Sequence, residues 1–483
     1  MCYSENDFAD IQALLSGLGK AGETEVAGMK TRRRDFIKGA FWAGGAAGLC
    51  AQNGCSSLAG LQLGRKGSMA GFRAEPLERV RVGIIGVGQR GSSAVRRLSN
   101  IPGVEITAIS DLTEERVARQ VKALADTGKP APSAHFGSPE EWRRLCESRA
   151  VDLVYICTPW LWHTPMAVFA MRCGKHAAVE VPAAMTLEQC WQLVDTAEET
   201  RRHCMMLENC CYGENEMFAL TLCRKGILGD LVHGEAAYIH DLRQLMMDDG
   251  ENTGYQGQWR LNWAVQHTGN PYPTHGLGPV CQYMGINRGD RFEYITSVSS
   301  AQFGLSLAAE KAGGKIPKGR LAYKLGDMNT SVIKTYRGRT ILVQHDTTSP
   351  RPYSRLNLIS GTKGILADYP LRVALEPASH QWMGDAALAD LKARHTHPLW
   401  KKSGDAAKKA GGHGGMDYLM DLRLCHCLRN GLPLDIDVYD SALWSSLVEL
   451  SELSVLRKGS SVKVPDFTRG AWKTSDPLGI VSV

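Results

Sequence analysis

The feature that most constrains the fold is a glycine-rich turn between an apolar strand and an amphipathic helix. Residues 80–85, Val-Arg-Val-Gly-Ile-Ile, have the composition of a buried strand and run directly into Gly86-Val-Gly88-Gln-Arg-Gly91. Gly86 permits a tight turn, Gly88 lets backbone amides approach a pyrophosphate, and Gly91 lets the helix pack against the strand. This spacing predicts a dinucleotide-binding βαβ unit.

An acidic residue stands where such a unit needs one. A second apolar strand, predicted over residues 105–110, is followed by Asp111, twenty residues after Gly91. A carboxylate at this distance accepts both hydroxyls of a ribose and repels a 2′-phosphate. The position therefore predicts NAD rather than NADP as the cofactor.

The alternation of strands and helices continues to residue 207. Further apolar strands are predicted over residues 151–157, 177–180 and 204–209, and helices begin at the capping patterns Ser138-Pro-Glu-Glu141 and Thr186-Leu-Glu-Gln189. Repeated βαβ units build a doubly wound parallel sheet. We therefore predict an α/β protein with an N-terminal Rossmann domain over residues 79–207, preceded by a leader and linker over residues 1–78.

Several polar and aromatic residues follow the predicted strands. In open α/β sheets, ligands bind beyond the carboxyl ends of the strands. The residues at these ends, where a nicotinamide would lie, are Trp160, Trp162, His163, Glu180 and Asn209. Packing under a loop would equally explain the tryptophans, and helix capping would explain Glu180.

After residue 207 the pattern changes, and we predict a second α/β domain over residues 208–483 with an open, largely antiparallel sheet. Residues 331–336 and 340–345 alternate with period two around a glycine turn, and a second glycine turn separates 356–359 from 365–367. Residues 404–415 have the composition of a mobile surface loop, whereas 416–428 have helical spacing. Such an open sheet invites pairing, which makes a homodimer plausible.

Three short segments of this second domain combine aromatic and polar side chains, at 238–243, 259–279 and 349–353. Aromatic faces stack on the C–H patches of a sugar, while Arg, His and Tyr bind its hydroxyls. Each such residue taken singly is equally well explained as structural. No His-x-x-x-His spacing links them, so no metal site is predicted.

Charge and hydropathy argue against nucleic-acid binding and against a transmembrane span. Lys and Arg number 56 against 50 Asp and Glu, with no basic stripe, which gives no support to nucleic-acid binding. No apolar run reaches the roughly 18 residues that span a bilayer. The 14 cysteines are too dilute for a disulfide scaffold.

The leader carries an export pattern. Arg33-Arg34-Asp-Phe-Ile-Lys38 is similar to a twin-arginine signal and precedes a Gly/Ala-rich run to Ala51. We expect export in the folded state to a periplasmic or other extracytoplasmic location, with Met29 as a candidate start. A chance basic cluster before a short helix is the alternative, and lipid anchoring through Cys50 or Cys55 stays open.

Longer motifs carry a family resemblance over residues 79–472. These are Trp160-Leu-Trp-His163, Leu207-Glu-Asn-Cys-Cys-Tyr212, His240-Asp-Leu-Arg243, Tyr272-Pro-Thr-His275, Arg351-Pro-Tyr353, Gly411-Gly-His-Gly-Gly-Met-Asp-Tyr418 and Pro465-Asp-Phe467. They resemble glycoside hydrolase family 109, within the superfamily of glucose–fructose oxidoreductase and inositol dehydrogenase. The superfamily's common Glu-Lys-Pro is Glu180-Val181-Pro182 here, which weakens a plain dehydrogenase interpretation.

The resemblance implies an NAD-dependent α-N-acetylgalactosaminidase that releases terminal α-linked N-acetylgalactosamine from glycoconjugates. Oxidation at C3 of the sugar would acidify the C2–H bond, a base would remove that proton as the C1 leaving group departs, and water addition and re-reduction would complete turnover. The paired-carboxylate template of most glycosidases would not apply.

The resemblance also implies roles for individual residues. Those expected to hold NAD, together with the glycine turn, are Gly86, Gly88, Gln89, Arg90, Gly91, Asp111, Trp160, Trp162, His163, Glu180, Val181, Asn209 and Tyr272. Those expected to contact the sugar are Tyr238, Arg260, Tyr272, Pro273, Thr274, His275 and Tyr353. For proton transfer the candidates are His275 and Tyr238 first, then Tyr272, His240 and Glu180, because these groups cycle protons near neutrality once perturbed.

Two other functions remain open from the sequence. The first is an exported sugar oxidoreductase that keeps NAD(P) tightly bound and exchanges hydride between two sugars. The second is a non-catalytic sugar-binding protein with a structural dinucleotide. Both would share the fold.

Overall fold

The computed structural model describes residues 67–248, 256–311, 323–378 and 380–483. The twin-arginine segment predicted at residues 33–38 and the candidate start Met29 lie outside the described residues. Among the helices of the described part, none is both long and apolar enough to cross a membrane.

The first sheet has six parallel strands in the order β3-β2-β1-β4-β5-β6, as predicted for a Rossmann domain. The strands are β1 (Val80–Ile85), β2 (Val104–Ser110), β3 (Ser133–His135), β4 (Leu153–Ile156), β5 (His176–Val179) and β6 (Cys204–Met206). The helices that follow them in turn are α1 (Gln89–Leu98), α2 (Glu114–Asp126), α3 (Glu141–Glu147), α4 (Trp160–Arg172) and α5 (Leu187–Thr200). The central strands β4 and β5 are buried along their whole length, as strands covered by helices on both faces are.

The second sheet has eight strands in the order β13-β12-β11-β7-β10-β9-β8-β14. They are β7 (Leu231–Ile239), β8 (Phe292–Ser299), β9 (Asn329–Thr335), β10 (Thr340–Asp346), β11 (Leu358–Gly361), β12 (Gly364–Ala367), β13 (Arg372–Leu375) and β14 (Val462–Lys463). Every pairing is antiparallel except that of β7 with β10, which is parallel. The predicted open, largely antiparallel sheet is therefore confirmed.

The helices of this part of the chain lie before and between these strands in the sequence. They are α6 (Glu214–Arg224), α7 (Arg243–Met246), α8 (Trp259–Gln266), α9 (Thr274–Met284), α10 (Gly304–Lys311), α11 (Asp385–His395), α12 (Pro398–Ala410), α13 (Met416–Asn430) and α14 (Val438–Leu456). Helix α9 packs on β7, and α14 packs on β8 and on α5 of the first domain. The apolar side chains of both sheets belong to one continuous buried cluster, and the domain boundary at residue 207/208 stays a prediction.

The prediction of a surface loop over residues 404–415 is wrong for its first half, which is helical. Helix α12 occupies residues 398–410, with Pro398 in its first turn and the His397 side chain accepting the Leu399 N–H. Lys and Ala are strong helix formers, and Leu399 and Ala407 are buried on one side of the helix. The loop prediction relied on the Lys, Ala and Gly content of the segment and did not consider the spacing of its apolar residues.

The capping pattern at Ser138 also differs from its prediction. Helix α3 begins at Glu141, and the Ser138 hydroxyl accepts only the N–H of Glu140, within the preceding turn. The second predicted cap is confirmed, because the Thr186 side chain accepts the N–H of Gln189 at the beginning of α5.

Candidate active site

The carboxyl ends of the parallel strands hold most of the predicted site residues. Gly86 follows β1, Asp111 follows β2 and Glu180 follows β5. Strands β7 and β10 are also parallel, and their register places Tyr238 opposite His345 at the ends of both strands. Ligands of open α/β sheets bind at such strand ends.

The glycine turn has the shape that a dinucleotide needs. Gly86 has a φ of +83°, and a Cβ atom on Gly91 would overlap the carbonyl oxygen of Gly86, so α1 lies directly against the end of β1. Asp111 Oδ2 accepts the Val87 N–H at 2.8 Å, which places the carboxylate at the turn itself. These residues fit NAD, because a carboxylate in this position binds the hydroxyls of the NAD ribose. Gln89 is exposed at the beginning of α1.

Arg90 links this turn to the C-terminal part of the chain. Its guanidinium lies 2.9 Å from Glu180 Oε1 and 3.0 Å from Asp417 Oδ2. His413 Nδ1 also lies 3.0 Å from Asp417 Oδ2, and the Asn209 side-chain amide donates to the other oxygen of Asp417. The Gly411–Tyr418 motif therefore closes one side of the dinucleotide site.

A second arginine lies behind the first. Arg97 is completely buried, 2.9 Å from Asp421 and 3.5 Å from Asp417, and the Tyr155 hydroxyl donates to Asp421 at 2.8 Å. Burial alone raises the pKa of Asp417, but the contacts with His413, Arg90 and Arg97 outweigh it and hold that pKa well below its usual range. Asp417 is therefore ionised at neutral pH.

The Trp160–His163 motif forms the first turn of α4. Trp160 is buried and its ring lies 5.9 Å from that of Tyr272, and Trp162 is half-buried. His163 is buried, and its two ring nitrogens each lie 2.7 Å from a backbone carbonyl, of Pro182 and Thr158. Since these carbonyls occupy both nitrogens, His163 shapes the loops after β4 and β5, where the buried Val181 also lies.

The predicted sugar contacts form one aromatic pocket. The Tyr238 ring lies 4.7 Å from Tyr272, 5.3 Å from His275 and 6.2 Å from Tyr353. Burial raises the pKa of Tyr272 well above its ordinary value, so its hydroxyl remains protonated. Tyr353 is 38% exposed and borders solvent.

Arg260 lies on the other side of Tyr272. Its guanidinium carbon is 4.9 Å from the Tyr272 ring and 4.8 Å from the rings of Trp160 and Trp259. Cation–π contacts of this kind fix a guanidinium in place. Pro273 and Thr274 are buried at the beginning of α9, so they orient this segment.

Two histidines of the pocket have different partners. His275 Nδ1 lies 2.7 Å from Oε1 of Glu208, a carboxylate with no exposed surface. His240 Nδ1 lies 3.1 Å from the Tyr238 hydroxyl, and burial, with help from Arg260, lowers the pKa of His240. The pocket thus contains one His–carboxylate pair and one His–tyrosine pair.

Glu208, Cys210 and His275 also bring three metal-ligand atoms within 4.8 Å of one another. Burial raises the pKa of the Cys210 thiol well above its ordinary value, and a metal requires the thiolate. The sequence-based expectation that the protein holds no metal stays a prediction.

Sequence reasoning missed the residues that complete the site from distant segments. Glu208, His413 and Asp417 lie inside motifs that were singled out, but no spacing rule connects them to Arg90 or His275. His345 was missed because its position opposite Tyr238 follows from the parallel pairing of β7 with β10, which local alternation does not reveal.

Comparison with known families gives two adjoining matches. Residues 80–208 match the oxidoreductase family with an NAD-binding Rossmann fold, and residues 212–474 match the C-terminal domain of glycosyl hydrolase 109. A glycosyl hydrolase family 109 protein of Shewanella pealeana is 50% identical over 86% of this chain and 91% of its own length. An alpha-N-acetylgalactosaminidase of Bacteroides fragilis is 49% identical over 83% of this chain and 95% of its own length.

Solved structures resemble the fold at lower identity. A levoglucosan dehydrogenase in complex with NADH and levoglucosan superposes with a TM-score of 0.61 at 18% identity, covering 80% of this chain and all of the dehydrogenase. At this identity the likeness concerns the arrangement of the two sheets alone.

We predict that Asp417→Asn destabilises the protein by about 3–5 kcal/mol, because it removes the buried carboxylate that two arginines share and leaves each of them with a single carboxylate partner. The pKa of Asp417 is lower in the folded state than in the unfolded state, so its contribution is complete above the unfolded value near 4 and is lost as pH falls. Urea denaturation at several pH values should therefore show a shallower loss of stability below about pH 5 in the variant.

Asp126→Asn is the matched control. Asp126 forms an exposed ion pair with Lys122, and such pairs contribute about 1 kcal/mol or less. Equal destabilisation by both variants would contradict the role assigned to Asp417.

Proposed function

This chain belongs to glycosyl hydrolase family 109 and is an NAD-dependent glycoside hydrolase, and from this premise we propose that it releases terminal α-linked N-acetylgalactosamine from glycoconjugates. The observation that carries the proposal is that the Tyr/His pocket borders the dinucleotide site through the contact of Tyr272 with Trp160. The name of the Bacteroides fragilis relative supplies the sugar.

The carboxylates of the site favour a redox mechanism over direct displacement. Glycosidases that use a carboxylate pair need one acid and one base or nucleophile facing the scissile bond. Glu180 is held by Arg90, and Glu208 is fully buried against His275. Neither is presented to a sugar in this way.

The mechanism that we propose separates hydride and proton transfer. Bound NAD supplies reversible hydride acceptance at C3 of the sugar. The protein supplies the pocket that holds the ring, through Tyr353, Tyr272 and Arg260, and the groups that move protons. The Tyr238 hydroxyl takes the C3 hydroxyl proton while its own proton passes through His240 to solvent. His275 takes the C2 proton as the C1–O bond breaks.

An aryl α-N-acetylgalactosaminide in deuterated water tests this function. We expect release of the aryl group, deuterium at C2 of the released sugar and no lasting gain in the absorbance of reduced nicotinamide. Tyr238→Phe should lower kcat about 10²–10⁴-fold, the usual range for loss of a proton-transfer group.

The control is Tyr336→Phe, since Tyr336 is largely exposed in the turn between β9 and β10. Aryl release without deuterium at C2 would overturn the elimination mechanism. Accumulation of reduced nicotinamide or of a keto sugar would indicate a net oxidoreductase, and binding of the sugar without turnover would indicate a non-catalytic protein.

We also propose export by the twin-arginine route, on the strength of the Arg33-Arg34 pattern. Replacing both residues with lysine should retain the protein inside the cytoplasmic membrane, as cell fractionation would measure. Arg32→Lys is the matched control, because Arg32 precedes the pair. Equal export of the paired-lysine variant would refute this route.

A homodimer is the assembly that we propose, with the second copy seated on the solvent-exposed face of the eight-stranded sheet. This face exposes Tyr294, Val298 and Val332, which neighbour one another across β8 and β9. Apolar side chains grouped on a sheet face favour association.

The double variant Val298→Asp with Val332→Asp should be monomeric by light scattering. The control Leu456→Asp, at an exposed site at the end of α14, should leave the dimer intact. A monomeric wild-type protein would refute the dimer.

A further inference from the structure

Glu208 has the environment of a group that holds another residue in place. It follows β6, and its Oε1 accepts the Cys210 N–H at 3.1 Å in addition to lying 2.7 Å from His275 Nδ1. A Cβ atom on Gly278 of α9 would lie 3.0 Å from the Glu208 Cγ. The carboxylate is therefore fixed between the strand end and α9.

The charge state of Glu208 determines the His275 tautomer. Burial alone raises the pKa of Glu208, but the contacts with His275 and the Cys210 N–H outweigh burial and lower it. An ionised carboxylate only accepts hydrogen bonds, so the proton of a neutral His275 ring is on Nδ1. Nε2 then carries the lone pair.

The position of the His275 ring leaves its Nε2 atom available to a ligand in the pocket. Among the described residues, Nε2 has no hydrogen-bond partner within 3.5 Å, whereas Tyr238 and Tyr272 approach the ring edge-on at 5.3 and 4.9 Å. A close contact also fixes the helix that carries His275, because a Cβ atom on Gly276 would overlap the backbone nitrogen of Ala237 in β7.

The two histidine pairs differ in the charge that they tolerate. Proton uptake makes an imidazole positive, and an adjacent buried carboxylate stabilises that cation. His275 has such a carboxylate. His240 has the neutral Tyr238 hydroxyl, and the positive Arg260 affects it more strongly than the negative Asp241 does. Removal of a proton from carbon, which leaves a cationic base behind, therefore suits His275.

Resting on the proposed function, we propose that Glu208 is a positioning residue that holds His275 as the base for C2 of the 3-keto sugar. The C2–H bond breaks and its proton goes to Nε2, the electron pair forms the C1=C2 double bond, and the C1–O bond breaks with its electrons on the departing oxygen. The imidazolium exchanges its proton with solvent and then protonates C2 from Nε2 when water adds at C1, and the proton that water loses goes to the departed oxygen.

The holoenzyme variants Glu208→Gln and Glu208→Asp test this role with an aryl α-N-acetylgalactosaminide in deuterated water. Glu208→Gln should lower kcat and C2 deuteration together, about 10²–10⁴-fold, with little change in KM. Glu208→Asp keeps the charge and should recover part of the C2 deuteration.

Glu198→Gln is the matched control. Glu198 is also a buried carboxylate that accepts a hydroxyl hydrogen bond, from Tyr439 at 2.8 Å, but it lies on α5 outside the pocket. Unchanged kcat in this variant would show that losing a buried carboxylate is not enough to stop turnover. Wild-type C2 deuteration in a folded Glu208→Gln protein would overturn the proposal.

Nitrogen NMR of the wild-type holoenzyme tests the tautomer without any substitution. We expect Nδ1 of neutral His275 to be protonated and Nε2 unprotonated, and the reverse assignment would overturn the proposal even if the Glu208 variants fail to fold. Aryl release by the wild type without C2 exchange would instead refute the redox function, while leaving the tautomer assignment to stand.

Discussion

One buried anion, Asp417, organises the cofactor side of this protein. It pairs with Arg90 at the dinucleotide turn and lies near Arg97, which is on the same helix as Arg90. It also accepts a hydrogen bond from Asn209, which follows β6. Two arginines placed side by side in a protein interior are costly unless carboxylates compensate them. The N-terminal turn and the distant C-terminal helix α13 therefore depend on each other for their charge balance.

The substrate side is organised by close backbone packing. Helix α9 rests on β7 at Gly276, which sets His275 beside Tyr238, and the parallel pairing of β7 with β10 brings His345 to the same edge. These contacts involve main-chain atoms, so they leave little freedom for the proton-transfer groups to separate. Preorganisation of this kind lets a site act without rearranging its polar groups.

The local parts of this structure could be predicted from the sequence, and the long-range parts could not. The strand–glycine–helix unit and Asp111 obey short spacing rules, so the six-stranded parallel sheet follows from them. The partners of Arg90 and His275 depend on tertiary packing that no periodicity contains. Family motifs identified the right segments, yet Glu208 and Asp417 acquire roles only when their neighbours are known.

Errors of local prediction have a similar origin. The Lys- and Ala-rich segment of α12 was interpreted as a loop because its glycines and charges dominated its composition, although its apolar residues lie on one side of a helix. Ser138 was interpreted as a cap because the pattern around it is correct in sequence. For α12, burial of its apolar residues decided the outcome.

The contact at Gly276 also bears on how relatives of this enzyme could diversify. A larger residue at position 276 would push α9 away from β7. The wall of the pocket that carries His275 therefore tolerates little change at this position. Tyr353 borders the same pocket next to Tyr238, with more than a third of its surface in solvent. Adaptation to a different glycan would therefore begin with substitutions at the rim around Tyr353, while Tyr238 and His275 stay unchanged.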